Sequence, residues 1–284
     1  MSANNLKKFY VSDLDGTLLR DDATLSAFSR DKLIELIDSG VNFSVASARS
    51  IVALKPILEG VPFKLPIIEI NGAFITDFTT GDHIIINEMP KSIIEEVFNR
   101  IVAHNCLPFL SAFDGTQDRL YYSDIINGGM DWYLSDRKIN SDHRVTQVAD
   151  LPSTFERNIV AFTAINTYEN LVALADEMKG AYSDALQMHF FENPYSPKWY
   201  WLTIHDKKAC KSHAIRELLD YANVKLDELV VFGDNLNDVN MFRMAATAVA
   251  VQNATDEIKS YATTIIGTNN EDSVVKYIAE KEFI

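Results

Sequence analysis

The stretch FYVSDLDGTLLRDD, Phe9 to Asp22, sets Asp13 and Asp15 one residue apart where an apolar run gives way to Gly16 and Thr17. If strand geometry held through both aspartates, their side chains would point to the same side. Like charges at that range repel unless a cation, a proton or a ring of donors compensates them. Taken alone, the stretch has two readings: a solvated turn that ends a strand, and a metal or catalytic site.

Other residues with chemical potential stand where further apolar runs stop. Ser47-Ala48-Arg49 follows one such run, and VVFGDNLND supplies Asp234, Asn237 and Asp238 at the end of another. Lys211 lies near the start of an expected helix. In open α/β sheets, ligands bind outside the carboxyl ends of the strands. Together these positions offer carboxylates, a hydroxyl, a guanidinium and an ammonium. That inventory fits phosphoryl transfer through an aspartyl-phosphate, which needs a carboxylate nucleophile, Mg²⁺, a proton donor for the leaving oxygen and donors around the phosphoryl oxygens. Mg²⁺ takes hard oxygen ligands and keeps several waters, so two carboxylates and one backbone carbonyl suffice as protein ligands.

The elements that must position these residues alternate between strand and helix. After the opening strand, helical spacing runs from Ser26 to Asp38, VNFSVAS reads as a strand, a helix spans Arg49 to Leu58, and LPIIEI reads as a strand. Asn71-Gly72 and Thr80-Gly81 are turn signals and predict a hairpin. From about Met89 the pattern changes. A helix over Lys91 to His104 precedes a strand pair turning at Asp114-Gly115, a further helix, the strand RNIVAFTAI, a helix from Tyr168 to Lys179, and the aromatic-rich strands LQMHFFE and KWYWLTIH. After Asp206 the alternation resumes to the C-terminus. The expected fold class is α/β: a parallel-sheet core formed by residues 1–88 and 206–284, with an α+β domain, 89–205, inserted.

Length and composition agree, with 284 residues, 47% of them hydrophobic, enough for a substantial core. Forty acidic residues against 26 basic ones give a net charge of −14, which disfavours nucleic acid and anionic membrane surfaces as partners. A small phosphorylated substrate is compatible with that field only if local cations overturn it where the substrate binds. No apolar run approaches membrane-spanning length and the N-terminus lacks a signal-like apolar stretch, so the expected location is the cytoplasm. Cys106 and Cys210 read as ordinary thiols, and the six histidines show no pair at metal-ligand spacing. The alternating aromatics Trp199, Tyr200 and Trp201 read as packing. Asp114, Arg119 and Tyr121 surround a turn with two readings, a solvated hairpin and a surface facing the core.

In order, DLDGTLL, SVASAR, CKSHAIRELL and VVFGDNLNDVNMF resemble the four motifs of the haloacid dehalogenase (HAD) superfamily of phosphatases. IEINGAFI and the tail VAVQNATDEIKSYATTIIGTNNEDSV resemble its Cof-type branch, whose members join a Rossmann-like core to a C2-type cap. The resemblance implies that Asp13 is the nucleophile and touches Mg²⁺, and that Asp15 is general acid and then base while its carbonyl ligates the metal. It implies that Asp234 completes the metal ligation. Ser47, Lys211 and Asn237 would lie around the phosphoryl group, with Arg49 close by and Asp238 in support. Lys207 and Lys208 compete for the lysine role, but the position before AIRELL favours Lys211. Two departures stand out: Ser-Ala-Arg where the family usually has Thr-Gly-Arg, and Lys211-Ser212 where Lys-Gly is common. The implied activity is Mg²⁺-dependent hydrolysis of small phosphorylated metabolites. A phosphomutase or phosphotransferase is the nearest rival, and a receiver-like module or non-catalytic phospho-ligand sensor the rival of another class.

Overall fold

The opening apolar run is β1 (Phe9–Ser12), all four residues buried, as befits the interior of a parallel sheet covered on both faces. The structure is a computed structural model that describes residues 8–193 and 196–282, so residues 1–7 of the N-terminal stretch read above as lacking a signal-like apolar run lie outside the described residues. A tight loop, Leu14–Leu18, leads to α1 (Ala27–Asp38), whose start is fixed by Ser26 Oγ accepting from the Ser29 N–H at 2.9 Å. Next come β2 (Asn42–Val45) and α2 (Ile51–Ile57), then β3 (Ile67–Glu69), β4 (Phe74–Thr76) and β5 (His83–Ile86) in a small sheet of their own. The two turn signals sit between these last strands.

The chain then forms α3 (Lys91–Ala103), β6 (Pro108–Phe113), β7 (Asp118–Tyr122), α4 (Gly128–Ile139), β8 (Val145–Gln147), β9 (Asn158–Asn166), α5 (Tyr168–Tyr182), β10 (Leu186–Glu192) and β11 (Tyr200–Asp206). It closes with α6 (Lys211–Ala222), β12 (Leu229–Gly233), α7 (Val239–Met244), β13 (Thr247–Ala250), α8 (Asp256–Tyr261), β14 (Thr264–Ile265) and α9 (Ser273–Glu282). The described residues up to Ile85 and from Cys210 onward make one compact unit, and Ile86–Ala209 makes another. Among the described residues no helix is long and apolar enough to cross a membrane.

The first unit holds a five-stranded parallel sheet in the order β14-β13-β12-β1-β2. Its core gathers β1, β12 and β13 with Leu33 and Leu36 of α1, Ile215 and Leu218 of α6, and Val275 and Ile278 of α9. The second unit has a six-stranded sheet, order β10-β11-β9-β6-β7-β8, antiparallel except for the β7–β8 pair. Ile94, Val97 and Ile101 of α3 and Leu171 and Leu174 of α5 pack with Phe162 and Ala164 of β9. Met130 and Leu134 of α4 pack with Phe109, Ile165 and Trp201. Neighbouring β9 residues thus feed different clusters, which is why that strand reads as an apolar run interrupted only by Thr163 between Ile159 and Ile165. Trp201 is core, in line with the packing reading, and Asp114 accepts from the N–H groups of Thr116 and Gln117 and pairs with Arg119 at 2.6 Å, closing its own hairpin.

His205, on β11, is buried, stacks beside His189 with centroids 5.1 Å apart, and leaves Nε2 without a hydrogen-bond partner among the described residues. Burial first, then the neighbouring His189, lowers its pKa from 6.5 to about 4, against the opposing pull of the Asp206 carbonyl. The neutral ring is therefore compatible with the fold at pH 7. As pH falls from 6.5 toward 4 the unfolded chain takes up a proton that the folded chain refuses, so stability is lost across that window. Denaturant titrations between pH 7 and 4 should show the wild type losing about 3 kcal/mol more than His205→Phe; parallel profiles would contradict the assignment.

Candidate active site

β1 lies between β12 and β2, parallel to both, with Ser12 level with Phe232 and Val45. Three loops therefore leave the same end of the sheet at adjacent positions. Their origins are tied together by backbone bonds: Asp13 N–H donates to the Phe232 carbonyl and Ala46 N–H to the Ser12 carbonyl, both at 2.9 Å.

Asp13 is buried, and its Oδ1 accepts from Lys211 Nζ at 2.7 Å. The same ammonium donates to Asp238 Oδ1, also at 2.7 Å. Asp238 is wholly buried, and its other oxygen accepts the backbone N–H groups of Asp234 and Asn235 at 3.1 and 3.2 Å. It thus fixes both the lysine and the turn that carries Asp234. Lys211 is 2% exposed, whereas Lys207 and Lys208 are exposed and lie in the other unit. Of the three lysines weighed, Lys211 is the one joined to Asp13.

Asp15 lies elsewhere. β1 ends at Ser12, and the chain turns through Gly16 at φ +74°, so strand alternation does not reach Asp15. Asp13 is buried while Asp15 is exposed: the condition for both to share one side, strand geometry through both, is not met because the strand stops at Ser12. Asp15 instead meets Arg49 in a two-point pair, Nε to Oδ2 at 2.8 Å and Nη2 to Oδ1 at 2.6 Å. Each aspartate of the opening motif has its own cation. Ser47 is buried, and its Oγ accepts from the Arg49 N–H at 3.1 Å. Asn237 sits exposed on the turn between Asp234 and Asp238.

Burial, with Asp238 and Asp234 adding to it, pushes the Asp13 carboxyl well above the usual range against the opposing effect of Lys211. Burial, then Asp238, raises Asp234 as well. Burial alone would lower Lys211, but Asp13 and Asp238 outweigh it and hold the ammonium above its ordinary range. One ammonium thus joins two carboxylates, with a third, Asp234, close by. Oxygens of Asp13, Asp234 and Asp238 all lie within 4.8 Å of one another, a hard, negative donor set that fits a divalent cation. Because Asp238 is already committed to Lys211 and two backbone N–H groups, Asp13 and Asp234 are the carboxylates available to a metal ion.

Other residues that build the site carry no chemistry of their own. Thr17 Oγ1 donates to Asp234 Oδ1 at 3.0 Å, and Asn253 Nδ2 donates to the Gly16 carbonyl at 2.7 Å. A Cβ on Gly16 would stand 2.6 Å from Asp234 Oδ2. Ile70, Asn71 and Gly72 all take positive φ (49°, 54° and 107°), a strained turn whose N–H groups at 70 and 71 donate to the carbonyls of Arg49 and Ser47. A Cβ on Gly72 would lie 2.7 Å from the Cys210 carbonyl, so this turn joins the Ser47 loop to the residue before Lys211. Glu69, fully buried, accepts from the Ile51 N–H at the start of α2. Thr17 and Gly72 stand inside quoted motifs, and Asn253 inside the tail string, but no spacing rule marks them.

A sequence model of the haloacid dehalogenase-like hydrolases matches residues 10–278, and the chain belongs to that family. It is 23% identical over 271 residues to the 5-amino-6-(5-phospho-D-ribitylamino)uracil phosphatase YitU of Bacillus subtilis, covering 94% of this chain and 95% of the relative. It is 24% identical over 279 residues to the pyridoxal phosphate phosphatase YbhA of Escherichia coli, covering 94% and 95%. A Thermotoga maritima protein of known crystal structure superposes with a TM-score of 0.76 at 27% identity, covering 97% of each chain.

Replacing Lys211 with Met leaves Asp13 and Asp238 buried without their cation. The variant should lose about 3–5 kcal/mol in denaturant unfolding, whereas exposed Lys207→Met should lose under about 1 kcal/mol. Equal, small losses would show that the ammonium does not hold the cluster.

Proposed function

We propose that this hydrolase is a Mg²⁺-dependent phosphatase of small phosphorylated metabolites that works through an aspartyl-phosphate at Asp13. The observation that carries the reading is the Lys211 ammonium, buried at 2.7 Å from both Asp13 and Asp238 with Asp234 alongside. A solvated turn has no use for a buried cation. A carboxylate that must attack a phosphoryl group does, because the lysine orients it and offsets the negative charge of the incoming substrate.

In this mechanism Asp13 attacks phosphorus, and the bond to the ester oxygen breaks as the bond to the carboxylate forms. Asp15, protonated on one oxygen that Arg49 releases, gives that proton to the departing oxygen and then, as a carboxylate, takes one from the water that cleaves the acyl phosphate. The Ser47 hydroxyl and Lys211 donate to the phosphoryl oxygens. Asp13, Asp234 and the Asp15 carbonyl would hold Mg²⁺. When bound, Mg²⁺ neutralises charge on the transferring group. Asn237 is assigned to the rim of the phosphoryl site and Asp238 to fixing Lys211.

Residues of the first unit address only the phosphoryl group, so we assign the choice among esters to the inserted residues, about 89–205, in the role of a cap. The relatives act, by their names, on a ribitylaminouracil phosphate and on pyridoxal phosphate, which supports a small phosphorylated metabolite as substrate. Sugar phosphates, pyridoxal phosphate and nucleotides are the classes to compare. The net charge of −14 argues against polyanionic macromolecules, and a cytoplasmic site of action accords with a metabolite substrate.

The test is release of inorganic phosphate from a panel of those esters, with and without Mg²⁺. Folded Asp13→Asn should lose at least about a thousandfold in kcat, since an amide cannot attack phosphorus. Chelation should silence the enzyme reversibly, and Asp234→Ala should raise the Mg²⁺ concentration needed for half-maximal rate or abolish activity. A tenth of wild-type turnover in Asp13→Asn, or full activity after exhaustive chelation, would overturn the reading.

A further inference from the structure

Glu69 is a fully buried carboxylate that the mechanism above does not use. A buried charge needs partners, and its partners show what it holds. Oε2 accepts the Ile51 N–H, the first of α2, and Oε1 accepts the Thr76 hydroxyl of β4 at 2.6 Å. Thr76 Oγ1 also lies 2.8 Å from His83 Nδ1 on β5. Glu69 thus ties the end of β3 to the start of α2 and, through Thr76, to β4. A helix start is ordinarily capped by the residue just before it. Ser50 stands in that position, yet its buried hydroxyl has no partner among the described residues, and the first N–H is taken up from β3 instead.

The start of α2 is also the end of the Ser47 loop. Ser47 N–H donates to the Ile68 carbonyl at 2.9 Å, Asn71 N–H to the Ser47 carbonyl at 2.8 Å, and Ile70 N–H to the Arg49 carbonyl at 3.0 Å. Glu69 adds the bond to Ile51, so residues 68 to 71 grip the loop from its first residue to its last, and Glu69 does so with its side chain. Within the loop, Ser47 Oγ accepts from the Arg49 N–H at 3.1 Å, which fixes the oxygen and leaves the hydroxyl proton to point elsewhere. Directly after Glu69, Ile70 and Asn71 sit at φ 49° and 54°. A β-branched residue holds such a conformation only where its surroundings over-determine it, and a carboxylate bonded to two neighbouring segments is one such restraint.

We propose that Glu69 is a positioning residue that acts through Ser47, clamping the loop so that the Ser47 hydroxyl donates to the transferring phosphoryl group. The inference rests on the phosphatase reading above. A donor to a transition state must be held within about half an ångström of its productive place, so a loop freed at one end loses catalysis before it loses its fold. A purely structural cap would act otherwise. It would lower stability and leave the contribution of Ser47 intact, so that losing both would be additive.

The test is kcat/KM for the best ester of the panel above, at a temperature well below every Tm. Glu69→Ala should fall about tenfold or more, and Ser47→Ala at least as far. In the Ser47→Ala background, Glu69→Ala should add no more than about a threefold loss, since residues acting as one unit are not additive. Glu69→Gln keeps an acceptor for the Ile51 N–H while the Thr76 hydroxyl turns to meet its amide, and should fall at least about threefold less than Glu69→Ala. Leu33→Ala, a cavity in the core beneath α1, is the control for lost stability: Tm should drop while kcat/KM stays within about threefold of wild type. Should Glu69→Ala not fold, Thr76→Val frees one carboxylate oxygen and carries the same cycle, with a loss of about fivefold alone and under about twofold beside Ser47→Ala. Additive losses, a Ser47→Ala loss smaller than that of Glu69→Ala, a Gln variant no better than the Ala variant, or an equal fall in Leu33→Ala would each overturn this inference alone. Failure of the wild type to hydrolyse any ester of the panel would overturn the phosphatase reading and this inference with it.

Discussion

The buried ammonium of Lys211, between Asp13 and Asp238, is the interaction on which the site depends. Placing a charged lysine in the interior costs several kcal/mol of desolvation unless partners of opposite charge surround it. Two carboxylates do so in this protein, and a third, Asp234, leaves the cluster with excess negative charge. The arrangement ties three loops, from β1, β12 and the start of α6, into one electrostatic unit. Removing the lysine would leave Asp13 and Asp238 buried without a compensating charge.

This constraint explains features that are otherwise arbitrary. Asp238 spends one oxygen on the lysine and the other on two backbone N–H groups, so it fixes the turn bearing Asp234 without needing a metal. The strained turn at Ile70–Gly72 holds the Ser47 loop by its N–H groups and presses, at Gly72, against the backbone just before Lys211. Local conformational cost of about 1–3 kcal/mol per strained residue is tolerable where it sets the spacing of the groups around Asp13. The two aspartates of the opening motif avoid mutual repulsion by facing different ways, one to the buried lysine and the other to Arg49.

Much of this was legible in the sequence. The α/β class, the inserted α+β segment and the strand-end location of Asp13, Ser47 and Asp234 follow from periodicity and from the rule that ligands bind at the carboxyl ends of parallel strands. Strand LQMHFFE was legible to the residue as β10, and α2 begins two residues later than its pattern implied, at Ile51, whose N–H donates to the buried Glu69 carboxylate. The short elements β8, α8 and β14 left no periodic signal, since two to six residues do not complete a repeat. The Asp15–Arg49 pair was not legible either. It depends on where β1 ends and on a left-handed Gly16, and residues 34 apart meet through tertiary structure alone. Asn253 and Gly72 matter through the backbone groups they meet, which composition does not record.

The central claim is that phosphate leaves its ester for Asp13 before it meets water. A substrate made chiral at phosphorus with three oxygen isotopes tests it directly, because each in-line displacement inverts configuration. Two successive displacements, through Asp13 and then water, predict inorganic phosphate of retained configuration. Inversion would mean that water attacks the ester in a single step, and would contradict both the nucleophilic role of Asp13 and the purpose of the lysine that holds it.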